Sequence, residues 1–132
     1  MSIAEHKDRL LQAAREAQKH AYAPYSKFMV GAAILLENDE IYSGCNVENA
    51  SYGLTNCAER SAIFTAISTR GPEAVKIRAV AVVNDHDAPC SPCGACRQVI
   101  AEFGPEAIIW YQGRKQIQES TIANLLPESF SL

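Results

Sequence analysis

The sequence predicts a single α/β domain in which helices cover a central sheet. Val75–Val83 is a near-continuous run of β-branched residues and alanine, as expected of a strand that is covered on both faces. Apolar runs of strand length alternate with helical patterns, which favours a sheet sandwiched between helices. The length of 132 residues corresponds to about one domain, and no repeat or linker interrupts it.

The first part of the chain is predicted to form a helix followed by a β-hairpin. Apolar residues at helical spacing in residues 3–21 predict the helix, which Pro24 cannot continue. A mostly apolar run over residues 28–37 is followed by a turn at Asn38 and by a second extended run that begins at Ile41. Two extended runs joined by a short polar turn are typical of a hairpin.

The rest of the chain alternates helices with strands. Thr55 or Asn56 is expected to cap a helix over residues 57–69 that ends at Gly71. The remaining predicted elements are a strand over residues 75–83, a helix over 94–103, a strand over 107–111, a short strand near Ile117 and a helix over 122–126.

The charge balance and hydropathy disfavour two kinds of partner. Twelve Lys and Arg residues against fifteen Asp and Glu residues give a net charge of −3, and the basic residues are scattered. Proteins that bind long nucleic acids usually carry a basic stripe, so no nucleic-acid partner is expected. The longest apolar run, residues 28–36, is far shorter than the ~20 residues of a membrane helix. No secretory signal pattern opens the chain, so we expect a cytoplasmic protein without a membrane partner.

The cysteines indicate a metal site. Their number, five, is odd, and a disulfide framework is not expected in the cytoplasm. Cys57 lies at the start of the second predicted helix and Cys93 and Cys96 at the start of the third, where the helix dipole favours thiolates. Three thiolates with an open fourth position are typical of catalytic zinc, and Glu59 is close enough to reach that position. Cys90 is a spare loop cysteine, a fourth ligand that would close the site, or a redox partner.

Arg60 is expected to tune this centre. Three thiolates on Zn²⁺ sum to −1, a charge that opposes the acidification of bound water. We expect the Arg60 guanidinium and the two helix dipoles to offset that charge. Cys45 is expected to be a core residue on the second strand and not a metal ligand. His6, His20 and His86 are expected to be solvated.

Four segments together resemble a known enzyme family. They are residues 23–28 (APYSKF), 44–52 (GCNVENASY), 57–60 (CAER) and 91–98 (SPCGACRQ). The last two fit the all-cysteine variant of the zinc-deaminase signature. The chain resembles the short, homotetrameric type of cytidine deaminase. The resemblance implies one domain over residues 1–132, a three-layer α-β-α fold with a mixed sheet of about five strands, and one Zn²⁺ held by Cys57, Cys93 and Cys96.

The resemblance also implies an activity and a set of substrate contacts. The activity is hydrolytic deamination of cytidine and 2′-deoxycytidine to uridine and 2′-deoxyuridine plus ammonia, in pyrimidine salvage. Zinc hydroxide would attack C4 of the base, and Glu59 would protonate N3, take the hydroxide proton and deliver it to the amine, which leaves as ammonia. The implied contacts are Asn46 and Glu48 to the ribose 3′-hydroxyl, Phe28 to the base, and the Ala58 N–H and Ser91 carbonyl to the pyrimidine edge. Ala50, Tyr52 and Phe130 resemble positions that reach a neighbouring subunit's site, so active sites would be shared within a homotetramer.

Three other functions would use the same residues. A deaminase of RNA or DNA shares the zinc signature but needs electrostatic contact with a strand, which the acidic balance disfavours. A deaminase of a related nucleoside such as blasticidin S differs only in substrate. A structural zinc or iron–sulfur module would add Cys90 as a fourth thiolate and leave no open position. Glu59→Ala separates this module from an enzyme, because only an enzyme would lose its function.

Overall fold

The computed structural model describes residues 2–132, which form an α/β domain. Its elements are, in chain order, α1 (Ile3–Gln18), β1 (Val30–Leu36), β2 (Ile41–Cys45), α2 (Ala58–Arg70), β3 (Ile77–Asn84), α3 (Gly94–Phe103), β4 (Ile108–Gln112), β5 (Ile117–Thr121) and α4 (Ile122–Leu125). Among the described residues, no helix is both long and apolar enough to cross a membrane.

The five strands form one mixed sheet in the order β2-β1-β3-β4-β5. β1 is antiparallel to both of its neighbours, β3 and β4 are parallel, and β5 is antiparallel to β4. Consequently β2, β3 and β4 run in the same direction, and their carboxyl ends lie at one edge of the sheet. In α/β sheets the segments that follow such carboxyl ends are the usual location of ligand sites.

Helices cover both faces of the sheet, which confirms the predicted fold class. All seven residues of β1 are buried, and alternate side chains point to opposite faces. One core lies between α1 and the sheet and is formed by Leu10, Leu11, Ala14, Ala33, Leu35, Ala79, Ala81, Val83 and Trp110. The other core lies under α2, α3 and α4 and includes Ala32, Ile34, Leu36, Ala62, Ile63, Val80, Val82, Ile100, Ile109 and Ile122.

Two glycines let helices lie directly on the sheet. A Cβ at Gly31 would lie 1.9 Å from the backbone oxygen of Ala14 on α1. A Cβ at Gly44 would lie 2.5 Å from the backbone nitrogen of Ala62 on α2. Any side chain at Gly44 would therefore push α2 away from β2, and with it the segment that carries Cys57.

Most predicted elements are present, with shifted ends. The helix over residues 94–103 is confirmed with its predicted bounds. The first helix ends at Gln18 rather than at residue 21, because the Tyr22 N–H donates to the carbonyl of Asn46 and draws the chain towards the sheet. The third strand begins at Ile77 because residues 72–74 form a 3-10 turn.

The predicted cap of the second helix was wrong. Neither Thr55 nor Asn56 caps α2; the N-cap is Cys57, whose side chain makes no capping hydrogen bond. Asn56 instead pairs with Val47 through two backbone hydrogen bonds of 2.9 and 3.0 Å. Because this bridge fixes the chain before α2, the Cys57 side chain is left available for another partner.

His6 is buried, contrary to the expectation that it is solvated. It is 2% exposed, on the face of α1 that packs on the sheet. Its Nε2 lies 3.7 Å from the Asp39 carboxylate at the hairpin turn, and its Nδ1 has no hydrogen-bond partner among the described residues. Asp39 is also bonded by Arg78 at 2.9 Å, so His6 lies beside a charged pair that joins the hairpin turn to β3.

Candidate active site

Three cysteine thiols converge at the starts of α2 and α3. Cys57 and Cys93 are the N-caps of the two helices, and Cys96 lies in the first turn of α3. Their Sγ atoms lie within 4.8 Å of one another, and the Cys57 and Cys93 Sγ atoms are 3.7 Å apart. Tetrahedral zinc with Zn–S bonds of ~2.3 Å has S–S edges of about 3.8 Å. The three thiols therefore fit the zinc ion that the sequence predicts.

The first of these thiols is poised to ionise. Hydrogen bonding from Cys96, reinforced by Arg60 and Cys93, lowers the pKa of Cys57 to about 5 against the opposing effect of burial. The Arg60 Nη2 lies 3.3 Å from the Cys57 Sγ, and this hydrogen bond raises the pKa of the guanidinium. The Arg60 Nε is buried without a hydrogen-bond partner among the described residues. Arg60 is thus placed where its charge can compensate thiolates.

Glu59 lies beside the thiols and is 4% exposed. Burial, followed by the nearby Cys57 thiolate, raises the pKa of Glu59 from 4.5 to about 7. A carboxyl group that gains and loses its proton near neutral pH can serve as a general acid and a general base. The start of α2 therefore carries a thiol of the cysteine cluster at Cys57 and, two residues later, a carboxyl group that can exchange a proton near neutral pH.

A cavity of about 220 Å³ is lined by Glu59 and by two of the three cysteines, Cys57 and Cys93. It brings together most of the residues that the resemblance assigns to the substrate: Phe28, Asn46, Glu48, Ala58 and Ser91. The sequence analysis did not assign five further lining residues to the substrate: Ser26, Val30, Thr55, Asn56 and Cys90. Ser26 lies within a segment that carried the resemblance, but nothing in its residue type indicated a role.

The amide of Asn46 fixes the backbone of two other residues that line this cavity, Phe28 and Val30. Its Oδ1 accepts from the Val30 N–H at 2.9 Å, and its Nδ2 donates to the Phe28 carbonyl at 2.8 Å. The Phe28 ring also packs edge-on against His86, with ring centroids 5.1 Å apart. His86 is therefore not simply solvated as expected, since one face supports the residue predicted to contact the base.

Glu48 also lines the cavity, and its carboxylate is held by the turn before Phe28. The backbone N–H groups of Tyr25 and Ser26 donate to its Oε1 at 2.9 and 3.1 Å, and the Ser26 hydroxyl donates to its Oε2. The Ser26 hydroxyl bond is the largest cause of a pKa below the ordinary value for Glu48. Glu48 is consequently an ionised acceptor.

Arg97, which the sequence analysis did not single out, holds the loop before α3. Its Nε donates to the Pro92 carbonyl at 2.6 Å, and its Nη2 donates to the Ser91 hydroxyl at 3.1 Å. Its Nη1 donates to the Leu125 carbonyl at 2.8 Å. One guanidinium thus ties the loop that lines the cavity to α4.

Cys90 lies in the cavity wall but apart from the metal group. In the described part of the chain, the residues grouped closely enough to hold an ion are Cys57, Cys93 and Cys96. Burial raises the pKa of the Cys90 thiol to about 11, so it stays protonated at neutral pH. The arrangement favours an open fourth position over a closed four-thiolate site.

Three predicted residues lie outside this cavity. Tyr52 is 76% exposed and Phe130 is 71% exposed, and Ala50 is exposed as well. Tyr52 lines an adjoining cavity of about 360 Å³ and contacts the Tyr25 ring edge-on, with centroids 6.0 Å apart. Their predicted contact with a neighbouring subunit stays a prediction.

An α/β domain in which three converging thiols and a buried carboxyl lie at one cavity defines a class, the enzymes built on a catalytic zinc site. Residues 4–112 match the family described as the cytidine and deoxycytidylate deaminase zinc-binding region, and the chain belongs to that family.

Known relatives match over nearly the whole chain. A cytidine deaminase of Sporosarcina psychrophila is 51% identical over 126 residues, which cover 94% of this chain and 90% of that protein. One from Halalkalibacterium halodurans is 50% identical over 124 residues and covers 92% of each chain. The crystal structure of cytidine deaminase from Burkholderia pseudomallei has a TM-score of 0.85 and 41% identity, covering 98% of this chain and 100% of that one.

Proposed function

We propose that the chain catalyses the zinc-dependent hydrolytic deamination of cytidine and 2′-deoxycytidine to uridine and 2′-deoxyuridine, with release of ammonia. The main support is one observation: the buried Glu59 lines one cavity with Cys57 and Cys93, two of the three converging thiols. The two bacterial relatives named cytidine deaminase, 51% and 50% identical, support the choice of substrate.

The chemical step is divided between the metal centre and Glu59. Zinc held by Cys57, Cys93 and Cys96 supplies an activated water as the nucleophile towards C4 of the base. Glu59 takes one proton from that water and donates it to N3; it then takes the proton of the hydroxyl that has added to C4 and gives it to the departing amine, which leaves as ammonia. A pKa of about 7 suits both directions of transfer, because neither protonation state is strongly favoured near neutral pH.

Separate groups of cavity-lining residues recognise the base and the ribose of a nucleoside. Phe28 packs against the base, while the Ala58 N–H and the Ser91 carbonyl bond to its polar edge. Asn46 and Glu48 hold the ribose 3′-hydroxyl, and the Glu48 carboxylate is the charged acceptor there. A free base would leave this acceptor without a donor, so a nucleoside is the preferred substrate.

The assembly and cellular role extend this proposal. Residues 1–132 form one domain, and four copies form a homotetramer in which Ala50, Tyr52 and Phe130 reach the site of a neighbouring subunit. The exposure of Tyr52 and Phe130 supports this, because large aromatic side chains at a surface are typical of interfaces. The protein acts in pyrimidine salvage in the cytoplasm. Arg60 tunes the zinc thiolates through its bond to Cys57.

The test is a combined assay of purified protein for cytidine turnover, by ultraviolet absorbance, and for zinc content. We expect turnover with about one zinc per chain. Glu59→Gln keeps the shape of the side chain, so it should keep the zinc and lower kcat by about a thousandfold. Zinc without turnover of either nucleoside would refute the proposal and direct the assay to blasticidin S. Unchanged turnover in the Glu59→Gln protein would refute the role of that residue.

A further inference from the structure

We propose that Ser26 is a positioning residue that orients the Glu48 carboxylate and thereby sets the requirement for a hydroxyl on the substrate ribose. This inference rests on the proposed function. The inference goes beyond that function because it assigns substrate specificity to a serine that acts on the sugar through Glu48 and does not contact the sugar itself.

The hydrogen bonds of Glu48 carry the inference. Its Oε1 accepts from the N–H groups of Tyr25 and Ser26, and its Oε2 accepts from the Ser26 hydroxyl. A carboxylate offers about four acceptor positions, so these three bonds leave one position open. Two different oxygens are held, which stops rotation of the carboxylate plane. The remaining position belongs to Oε2 and suits one hydroxyl donor.

The same serine hydroxyl bonds both to the Glu48 carboxylate and to the backbone of Phe28. While it donates to Glu48, it accepts from the Phe28 N–H at 3.0 Å. Between Ser26 and Phe28, the turn holds Lys27 at φ 61°, a left-handed conformation that is uncommon for a residue with a side chain. Strained backbone of this kind persists where surrounding contacts require it. The turn therefore keeps the sugar acceptor and the base-packing residue at a fixed separation.

Truncation at Ser26 can be separated from damage to the fold. Ser26 is exposed, so Ser26→Ala leaves no buried cavity. The backbone bonds from Tyr25 and Ser26 to Glu48 do not depend on the side chain. The variant removes the bond that holds Oε2 and the acceptor for Phe28, so the carboxylate can turn away from the sugar. Glu48 stays in place but loses its orientation.

The experiment compares cytidine with 3′-deoxycytidine, which lacks the hydroxyl. Ser26→Ala is expected to lower kcat/KM for cytidine about tenfold, mainly through KM, since a bond to a charged group is affected. With 3′-deoxycytidine the same variant should stay within about twofold of the unaltered protein. Ser26→Thr keeps the hydroxyl and should restore the preference for cytidine. Ser68→Ala is the matched control, because that exposed hydroxyl donates to a carbonyl on α2, away from the cavity.

The combination of Ser26→Ala with Glu48→Gln tests the route of action. If Ser26 acts through Glu48, adding Ser26→Ala to Glu48→Gln should change kcat/KM for cytidine by less than about twofold. Equal losses on both nucleosides, or no loss on cytidine, would overturn the inference while turnover by the unaltered protein leaves the proposed function standing. Absence of turnover by the unaltered protein would overturn both.

Discussion

Replacing Glu59 should make the metal-free protein more stable at neutral pH. Glu59 is 4% exposed, and burial raises its pKa from 4.5 to about 7. A raised carboxyl pKa means that the folded state binds the proton more tightly than the unfolded state. Ionisation of Glu59 therefore lowers the free energy of unfolding. The loss is negligible below pH 4.5, grows as the pH rises, and is complete once the pH passes 7. The difference between a pKa of 4.5 in the unfolded state and one of about 7 in the folded state corresponds to about 3 kcal/mol.

Urea unfolding of zinc-free, reduced protein measures this effect. Glu59→Gln keeps the volume of the side chain and removes its charge. The free energy of unfolding should match that of the unaltered protein at pH 4 and exceed it by about 3 kcal/mol at pH 8. With an m-value of about 2 kcal/mol/M, the midpoint moves up by about 1.5 M urea.

A control locates the effect in the buried carboxyl. Glu73→Gln changes an exposed carboxylate in the turn before β3 and should leave the free energy of unfolding unchanged within about 0.5 kcal/mol at both pH values. An equal gain for Glu59→Gln at pH 4 and pH 8 would refute the reasoning, because a charge-independent gain does not come from desolvation of an ionised group. The absence of a gain in the free energy of unfolding at pH 8 would refute the reasoning as well.

Three further outcomes follow from the site. Cys90→Ser should retain about one zinc per chain by elemental analysis, because Cys90 lies outside the thiol group; loss of the metal would show a fourth ligand. Arg60→Ala should keep zinc but move the acidic limb of the kcat/KM profile to higher pH, since the thiolates lose a compensating charge; an unmoved profile would contradict this. Arg97→Lys cannot form all three bonds to Ser91, Pro92 and Leu125, so thermal unfolding should show about 1–3 kcal/mol less stability and KM for cytidine should rise. Unchanged stability and KM would mean that the loop is held by other contacts.

The elements that the sequence predicted best are those with local signals. The helix over residues 94–103 has an amphipathic run that Gly104 ends, and both bounds were correct. Apolar runs located β1, β3 and β4 because strands covered on both faces must be apolar throughout. The predicted cap at Thr55 or Asn56 was wrong because both residues bond to the preceding loop: Asn56 pairs with Val47, and the Thr55 hydroxyl accepts from the Asn49 N–H.

The residues that carry the chemistry of the site were easier to predict than the residues that hold them in place. Cysteine spacing and the neighbouring Glu59 indicated the metal centre, since the residue types themselves limit what they can bind. The roles of Ser26 and Arg97 depend on which carboxylate or carbonyl lies opposite them, and these partners are set by the fold. Burial of His6 likewise depends on Asp39 at the hairpin turn, which no local pattern reveals.

The order of strands bears on how the protein folds. Cys57 follows β2 and Cys93 follows β3, and these strands do not pair with each other because β1 lies between them. The thiols can meet only after β1 has paired along both of its sides. Pairing between distant segments is slow compared with helix formation. Charge-transfer absorbance of a thiolate-bound reporter metal during refolding would therefore time the assembly of the inner sheet, and a competent metal centre marks a late stage of folding.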